Sequence, residues 1–204
     1  MLPTTCATAA TPRLCFLLGL SLFVLIGLAP LVAQARPKSI DANFIQEKEM
    51  KILARPLVSE GRLVFRAPDH LRWEYRSPIQ SVMLMQNDAA RKFTRQNGEW
   101  IEDKGVGLDA VPMILAQMTA WLEGRFVESD AALFTAVRNG QTVRLVPKEE
   151  GMRAVIASIE LRLAGQGELI EAVDIRENAD AVTRIRFKNI VSDQPIDDAL
   201  FTAP

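Results

Sequence analysis

Apolar and charged side chains alternate one for one through much of residues 36–204, the pattern of a strand with one dry and one wet face. In Arg62-Leu63-Val64-Phe65-Arg66 the apolar Leu63 and Phe65 share a side, and in Leu71-Arg72-Trp73-Glu74-Tyr75-Arg76 so do Leu71, Trp73 and Tyr75. Arg66-Ala67-Pro68-Asp69-His70 supplies the turn between them. Val155, Ala157, Ile159, Leu161 and Leu163 alternate with Ser158, Glu160 and Arg162, and Ile185 and Phe187 oppose Arg184, Arg186 and Lys188. Further strands are predicted over 40–51, 82–85, 91–95, 133–137, 142–146 and 168–175. Roughly ten antiparallel strands are too many for a small flat sheet, so the sheet must curl or close.

One segment has helical period instead. Between Asp109 and Gly124, the apolar Val111, Ile114, Leu115, Met118 and Leu122 recur at helical spacing, with Pro112 in the first turn, Asp109 as cap and Gly124 as stop. Met113, Ala116, Ala120 and Trp121 occupy its other sides, so the helix is apolar around much of its circumference. Such a helix is expected to lie across the concave face of the curved sheet as a plug or lid, because an apolar sheet face needs a cover. No repeat or linker divides 36–204, which reads as one domain.

The first 35 residues differ. Arg13 is their one charge, Leu14 to Leu28 is apolar apart from Gly19, Ser21 and Gly27, Pro30 breaks the run, and Ala33-Gln34-Ala35 offers small residues for cleavage. The segment reads as a cleaved secretory signal, 1–35, and it falls short of the roughly 18 to 20 apolar residues of a spanning helix. Both cysteines, Cys6 and Cys15, lie within it, outside any lipidation pattern, so the mature chain is expected to be a soluble exported domain without disulfides.

Charge and chemistry narrow the function. With 24 Lys+Arg against 25 Asp+Glu the formal charge is −1, which lacks the basic footprint of a nucleic-acid binder. Without a mature cysteine there is no thiol nucleophile, and His70 is the sole histidine, read as an exposed turn residue. Gly105-Val106-Gly107 lacks nucleotide-loop spacing, and the pairs Glu149-Glu150 and Asp197-Asp198 are adjacent in loops. Nothing assembles an acid, a base and a substrate pocket, and no cofactor or metal site is predicted.

Several stretches, read in order, resemble the LolA-like family of periplasmic outer-membrane lipoprotein carriers: Phe44-Ile45-Gln46-Glu47-Lys48, Arg55-Pro56-Leu57-Val58-Ser59-Glu60-Gly61-Arg62-Leu63, and Arg66-Ala67-Pro68-Asp69-His70-Leu71-Arg72-Trp73-Glu74-Tyr75. Ser77-Pro78, Leu145-Val146-Pro147-Lys148 and Phe187-Lys188-Asn189 extend the match over nearly all of 40–204. The resemblance implies a mainly β fold with α, an incomplete half-open β-barrel whose concave side is covered by helices around an apolar cavity. It also implies a non-enzymatic, monomeric carrier that takes lipoprotein acyl chains, or another amphiphilic lipid, from an inner-membrane ABC-type release complex to an outer-membrane acceptor. The sequence departs from the family in three places: a short run ahead of Ile40, Ala67 where an Arg helps latch the lid, and an end at Phe201-Thr202-Ala203-Pro204. It is therefore read as a divergent member. The alternative is a sensing or protein-interaction module of the same fold.

On this basis Phe44, Leu63, Phe65, Leu71, Trp73, Tyr75, Met83, Met85, Phe93, Met113, Ile114, Met118, Trp121 and Leu122 are expected to face the cavity. Alternation alone leaves open whether each packs as core or lines a cavity; the resemblance favours the latter. Methionine suits such a wall, since its flexible thioether adapts to irregular cargo.

Overall fold

The computed structural model describes residues 37–87, 89–103, 111–126, 133–165, 169–178 and 181–204, with the side chains of 111–116 and 178 left aside. The strands are β1 (Ser39–Met50), β2 (Leu57–Arg66), β3 (His70–Ser77), β4 (Ser81–Gln86), β5 (Ala89–Gln96), β6 (Glu99–Glu102), β7 (Phe134–Asn139), β8 (Thr142–Pro147), β9 (Ser158–Ala164), β10 (Leu169–Asn178) and β11 (Ala181–Ser192). Helix α1 (Val111–Leu122) lies between β6 and β7, a single turn α2 (Glu150–Arg153) follows β8, and a 3-10 turn (Asp198–Phe201) closes the chain.

All eleven strands form one antiparallel sheet in the order β6-β5-β4-β3-β2-β1-β11-β10-β9-β8-β7. The chain starts at the middle, steps outward to one edge at β6, and must then reach the opposite edge at β7 before stepping back to β11. Helix α1 belongs to that crossing and touches both β5 and β10, one strand from each half. The two long central strands β1 and β11 join the halves, with Phe44 opposite Phe187.

The inward face carries the core: Ile40, Ala42 and Phe44 of β1, Leu63 and Phe65 of β2, Leu71 and Trp73 of β3, and Leu145, Leu161 and Leu163 from the other half, each at most 3% exposed. The outward face carries charge pairs between neighbouring strands. Arg62 grips Asp41 with both Nε (2.8 Å) and Nη2 (2.6 Å), and Arg184 meets Glu49 at 2.6 Å. Such partly exposed pairs are worth at most about 1 kcal/mol each, so the inner face dominates stability.

Gly61 is required by packing. It faces Phe44 in the β1–β2 register and Tyr75 across β3. A Cβ there would stand 2.1 Å from the Glu74 carbonyl oxygen and 2.3 Å from Cζ of Phe44, because the Phe44 ring lies in the space a side chain would take.

The C-terminal segment packs on the outward side of β3 and β4. Phe201, 2% exposed, lies edge-on to His70 at 5.2 Å between ring centres, with the Arg66 guanidinium over its face at 5.1 Å. Arg72, 7% exposed, donates to the carbonyls of Leu200 (3.0 Å) and Ala203 (2.8 Å) and to Glu74 (3.0 Å). A buried cation is tolerated only with such partners.

The structure corrects four readings. A strand, β6, was missed, since its four residues alternate too briefly to register; Asn97 (φ 51°) and Gly98 (φ 88°) form the tight turn leading into it. Val155 and Ala157 do not extend β9: α2 and a turn precede Ser158, and Val155 is exposed. Glu150 opens α2 instead of lying in a loop. His70 is not an exposed turn residue but the first residue of β3, bonded to Asp69 (2.8 Å) and Gln86 (3.2 Å). Gly124, with φ 74°, ends α1 as its position suggests. Asp109, Gly105-Val106-Gly107 and Glu168 lie outside the described residues.

Candidate functional site

The sheet's inward side, α1 and the α2–β9 turn border an open-sided cavity of about 760 Å³. Its N-terminal wall is built by alternation: Leu63 of β2, Trp73 and Tyr75 of β3 and Met83 of β4 point inward, with Trp73 paired to both Leu63 and Met83 across the strands. Ile170, Val173 and Ile175 of β10 and Ile185 and Phe187 of β11 form the C-terminal wall. Met118, Trp121 and Leu122 close it from α1, and Met152, Val155 and Ile156 from the α2–β9 turn.

An aromatic floor lies at the centre. The Phe44 ring sits 4.6 Å from that of Trp73, 5.4 Å and edge-on to Tyr75, and 6.4 Å from Phe187. Phe44 itself is 1% exposed and acts from behind, holding the other three rings in place. Offset and edge-to-face contacts of this kind add roughly 0.5–1.5 kcal/mol per pair beyond area burial.

One end of the cavity is polar. On β1 the inward stripe runs Ile40, Ala42, Phe44 and then Gln46 and Lys48, so it changes character at the fourth position. Tyr75 donates its hydroxyl to Gln46 Oε1 at 2.9 Å, Lys48 Nζ pairs with Glu177 Oε2 at 2.7 Å, and Thr183 Oγ1 donates to Glu177 Oε1 at 2.7 Å. Burial pushes the Glu177 carboxyl up, but the hydrogen bonds from Lys48 and Thr183 outweigh it and hold the group below its ordinary range. Burial holds the Tyr75 phenol above its usual value. Both groups therefore keep one protonation state near neutrality, carboxylate and phenol.

Seven of the sequence-predicted residues line the cavity: Leu63, Trp73, Tyr75, Met83, Met118, Trp121 and Leu122. Phe44, Phe65, Leu71 and Met85 stand behind that wall in the core. Phe93 does not face the cavity. It pairs with Val82, which faces opposite to Met83, and packs with Val82, Leu84 and Trp100 in a separate cluster. The side chains of Met113 and Ile114 lie outside the described residues.

Sequence reasoning missed the β10 and β11 wall and the polar end. The alternation of Ile185 and Phe187 marked an inward face there, and the switch from Phe44 to Gln46 along one stripe was the signal for the polar end. Among the described residues, no three His, Cys, Asp or Glu side chains gather to hold a metal ion. What the arrangement offers is a dry surface with hydrogen-bonding groups at one end.

The family model described as outer membrane lipoprotein carrier protein LolA matches residues 35–204. No curated protein matches the sequence. Among solved structures, a DUF1329 family protein from Desulfovibrio piger is similar at TM-score 0.42 and 10% identity, covering 81% of this chain and 90% of its own. A LolA superfamily protein from Nitrosomonas europaea is similar at TM-score 0.40 and 8% identity, covering 83% and 93%. The Pseudomonas aeruginosa MucA/MucB complex gives TM-score 0.39 at 14% identity, covering 81% of this chain and 56% of the other. Likenesses this distant carry no functional argument; the family match does.

Proposed function

Because the chain belongs to the LolA family of outer membrane lipoprotein carrier proteins, we propose that it is a periplasmic carrier that takes up the acyl chains of lipoproteins, or of a related amphiphilic lipid, and moves them from inner to outer membrane. In this reading residues 1–35 are the export signal, an inner-membrane ABC-type complex loads the cavity, and an outer-membrane acceptor empties it. The cavity of about 760 Å³ with its almost wholly apolar wall is the observation that carries the proposal. A cavity of this volume lies within the range of about 300–1,000 Å³ typical of sites that bury small ligands, so an acyl chain of ordinary length has room. Each methylene removed from water contributes about 0.8 kcal/mol, so a dozen supply about 10 kcal/mol. Binding costs of several kcal/mol offset part of this and leave the cargo releasable. Met83, Met118 and Met152 make the wall adaptable to chains of different shape.

The protein performs no bond chemistry in this reading. Its work is to shield an apolar chain and to give it up. Mass spectrometry of lipids that co-purify with the exported protein tests the proposal: acylated species bound in stoichiometric amount support it. A reproducibly empty protein with no affinity for acylated peptides overturns it.

A further inference from the structure

We propose that the polar end of the cavity is a subsite for the carbonyl oxygens of ester- or amide-linked acyl chains, and that it disfavours free carboxylate or phosphate heads. This inference rests on the carrier reading and names the part of the cargo that the protein recognises.

The argument starts from which hydrogen-bonding groups are already engaged. Both Glu177 carboxylate oxygens accept bonds at 2.7 Å, Oε2 from Lys48 and Oε1 from Thr183. Gln46 Oε1 accepts from the Tyr75 hydroxyl at 2.9 Å. Each of these acceptor oxygens thus already holds a bond within the cluster. The donors left for a guest are the Gln46 amide N–H groups and the ammonium hydrogens of Lys48 beyond the one given to Glu177.

The charge of Lys48 is also compensated. Glu177 titrates below its ordinary range and stays ionised at neutral pH, so the end of the cavity presents donors without a net positive field. An anionic head that accepts from the remaining Lys48 hydrogens would stand beside the ionised Glu177 carboxylate and be repelled by it, while its own desolvation is not repaid by an uncompensated cation. A neutral carbonyl oxygen accepts from the same donors and leaves the pair intact.

Position completes the argument. Gln46 and Lys48 follow Phe44 on the same inward stripe of β1, and Tyr75 follows Trp73 on that of β3. The donors therefore stand where the apolar wall ends. An acyl chain lying on the wall brings its linking carbonyl, and not its methyl end, to this point.

The test compares three twelve-carbon ligands with matched tails: monolauroyl glycerol, its ether analogue 1-O-dodecylglycerol, which lacks the carbonyl, and dodecanoate. Affinity is read at pH 7.5 by displacement of a fluorescent acyl probe. The ester is expected to bind about tenfold tighter than the ether, the increment of one hydrogen bond to a charged group. Lys48→Met and Gln46→Leu should each remove most of that advantage, with circular dichroism melts of the unliganded proteins to show that both variants fold. Glu177→Gln should release Lys48 and raise dodecanoate affinity about tenfold. Equal binding of ester and ether by the wild-type protein overturns the subsite and leaves the carrier reading intact, as does an unchanged ester preference in both Lys48→Met and Gln46→Leu. Failure of all three ligands to bind overturns both.

Discussion

Replacing Met118 by Glu separates a ligand cavity from an ordinary core more cleanly than any other single change. Met118 is half-buried, lines the cavity from α1, and lies opposite the aromatic wall, so a carboxylate there can stay hydrated in the empty protein. Leu63, at 1% exposure, cannot serve, because a charge in its place would unfold the domain before binding could be measured. When an acyl chain enters, the new carboxylate loses its water. The penalty is several kcal/mol for a buried ion, added to about 1.6 kcal/mol for two methylene equivalents of lost contact. A total of at least about 3 kcal/mol predicts affinity at least about 100-fold weaker at pH 7.5. Met118→Gln has similar length, loses the same contact and carries no charge, so its deficit lacks only the excess cost of burying an ion over burying an amide at about 1–3 kcal/mol, and its affinity should lie about tenfold above that of Met118→Glu. Titration of a neutral acylated peptide amide against both variants and wild type, with thermal melts of the unliganded proteins, gives the comparison. Because ligand burial raises the pKa of the introduced carboxyl, the Met118→Glu deficit should shrink from pH 8 to pH 5, whereas the Met118→Gln deficit should not. Affinity of Met118→Glu within threefold of Met118→Gln at pH 7.5 would refute the placement of the chain against this helix.

Other consequences concern the frame that shapes the cavity. Gly61→Ala forces a methyl group into the Phe44 ring and the Glu74 carbonyl, and should lower unfolding free energy by about 3 kcal/mol or more in urea denaturation, with loss of the near-ultraviolet aromatic signal. Arg72→Met removes the donors to the Leu200 and Ala203 carbonyls and should destabilise the domain by about 2–4 kcal/mol, while carboxypeptidase trims the C-terminus faster than in wild type. The Glu177 carboxyl titrates in the folded protein below its ordinary value of 4.5. Its contribution to stability is therefore whole above that value and lost as pH falls through the lower folded one, so wild type should lose stability on the acid side more steeply than Glu177→Gln in melts from pH 6 to pH 3.

Period-two alternation made the sheet legible because it is a local property: the inward Leu63, Phe65, Leu71 and Trp73 follow from chain geometry alone. The helix of 111–122 was legible for the same reason, and its apolar circumference marked it as a cover for the sheet's dry face; the strand order adds that it lies in the crossing between the edges at β6 and β7. Phe93 shows where local reasoning fails. Its strand carries Arg91, Phe93 and Arg95 on one side and Ala90, Lys92 and Thr94 on the other, so the apolar residue marks neither face decisively. Register then decided, and pairing with Val82 placed Phe93 outward. The wall from β10 and β11 escaped because periodicity states which side is inward and not how far the opposite wall stands from it.

That distance is what turns a core into a site. A flat sheet beneath one helix would bring Ile185 and Leu63 alike against Met118, and each would read as packing. Here eleven strands run continuously from β6 to β7, and the right-handed twist accumulated across them curls the inward face into a trough wider than a single helix can fill. The side chains within reach of the sheet's own layer close over one another, as Phe44, Phe65, Leu71, Leu161 and Leu163 do. Those at the trough's open side, Met83, Ile175 and Met118, are left facing space. A void lined by such groups lacks the dispersion contacts of a packed core, at about 0.1–0.2 kcal/mol per missing atom pair. Restoring those contacts is the gain an acyl chain brings, and it is available only while the cavity stays unfilled by the protein itself. Enlarging the wall should therefore stabilise the empty protein and weaken the carrier: Ile175→Trp is expected to raise the melting temperature and to reduce acyl affinity together, and a variant that gained both would break this account of why the space is there.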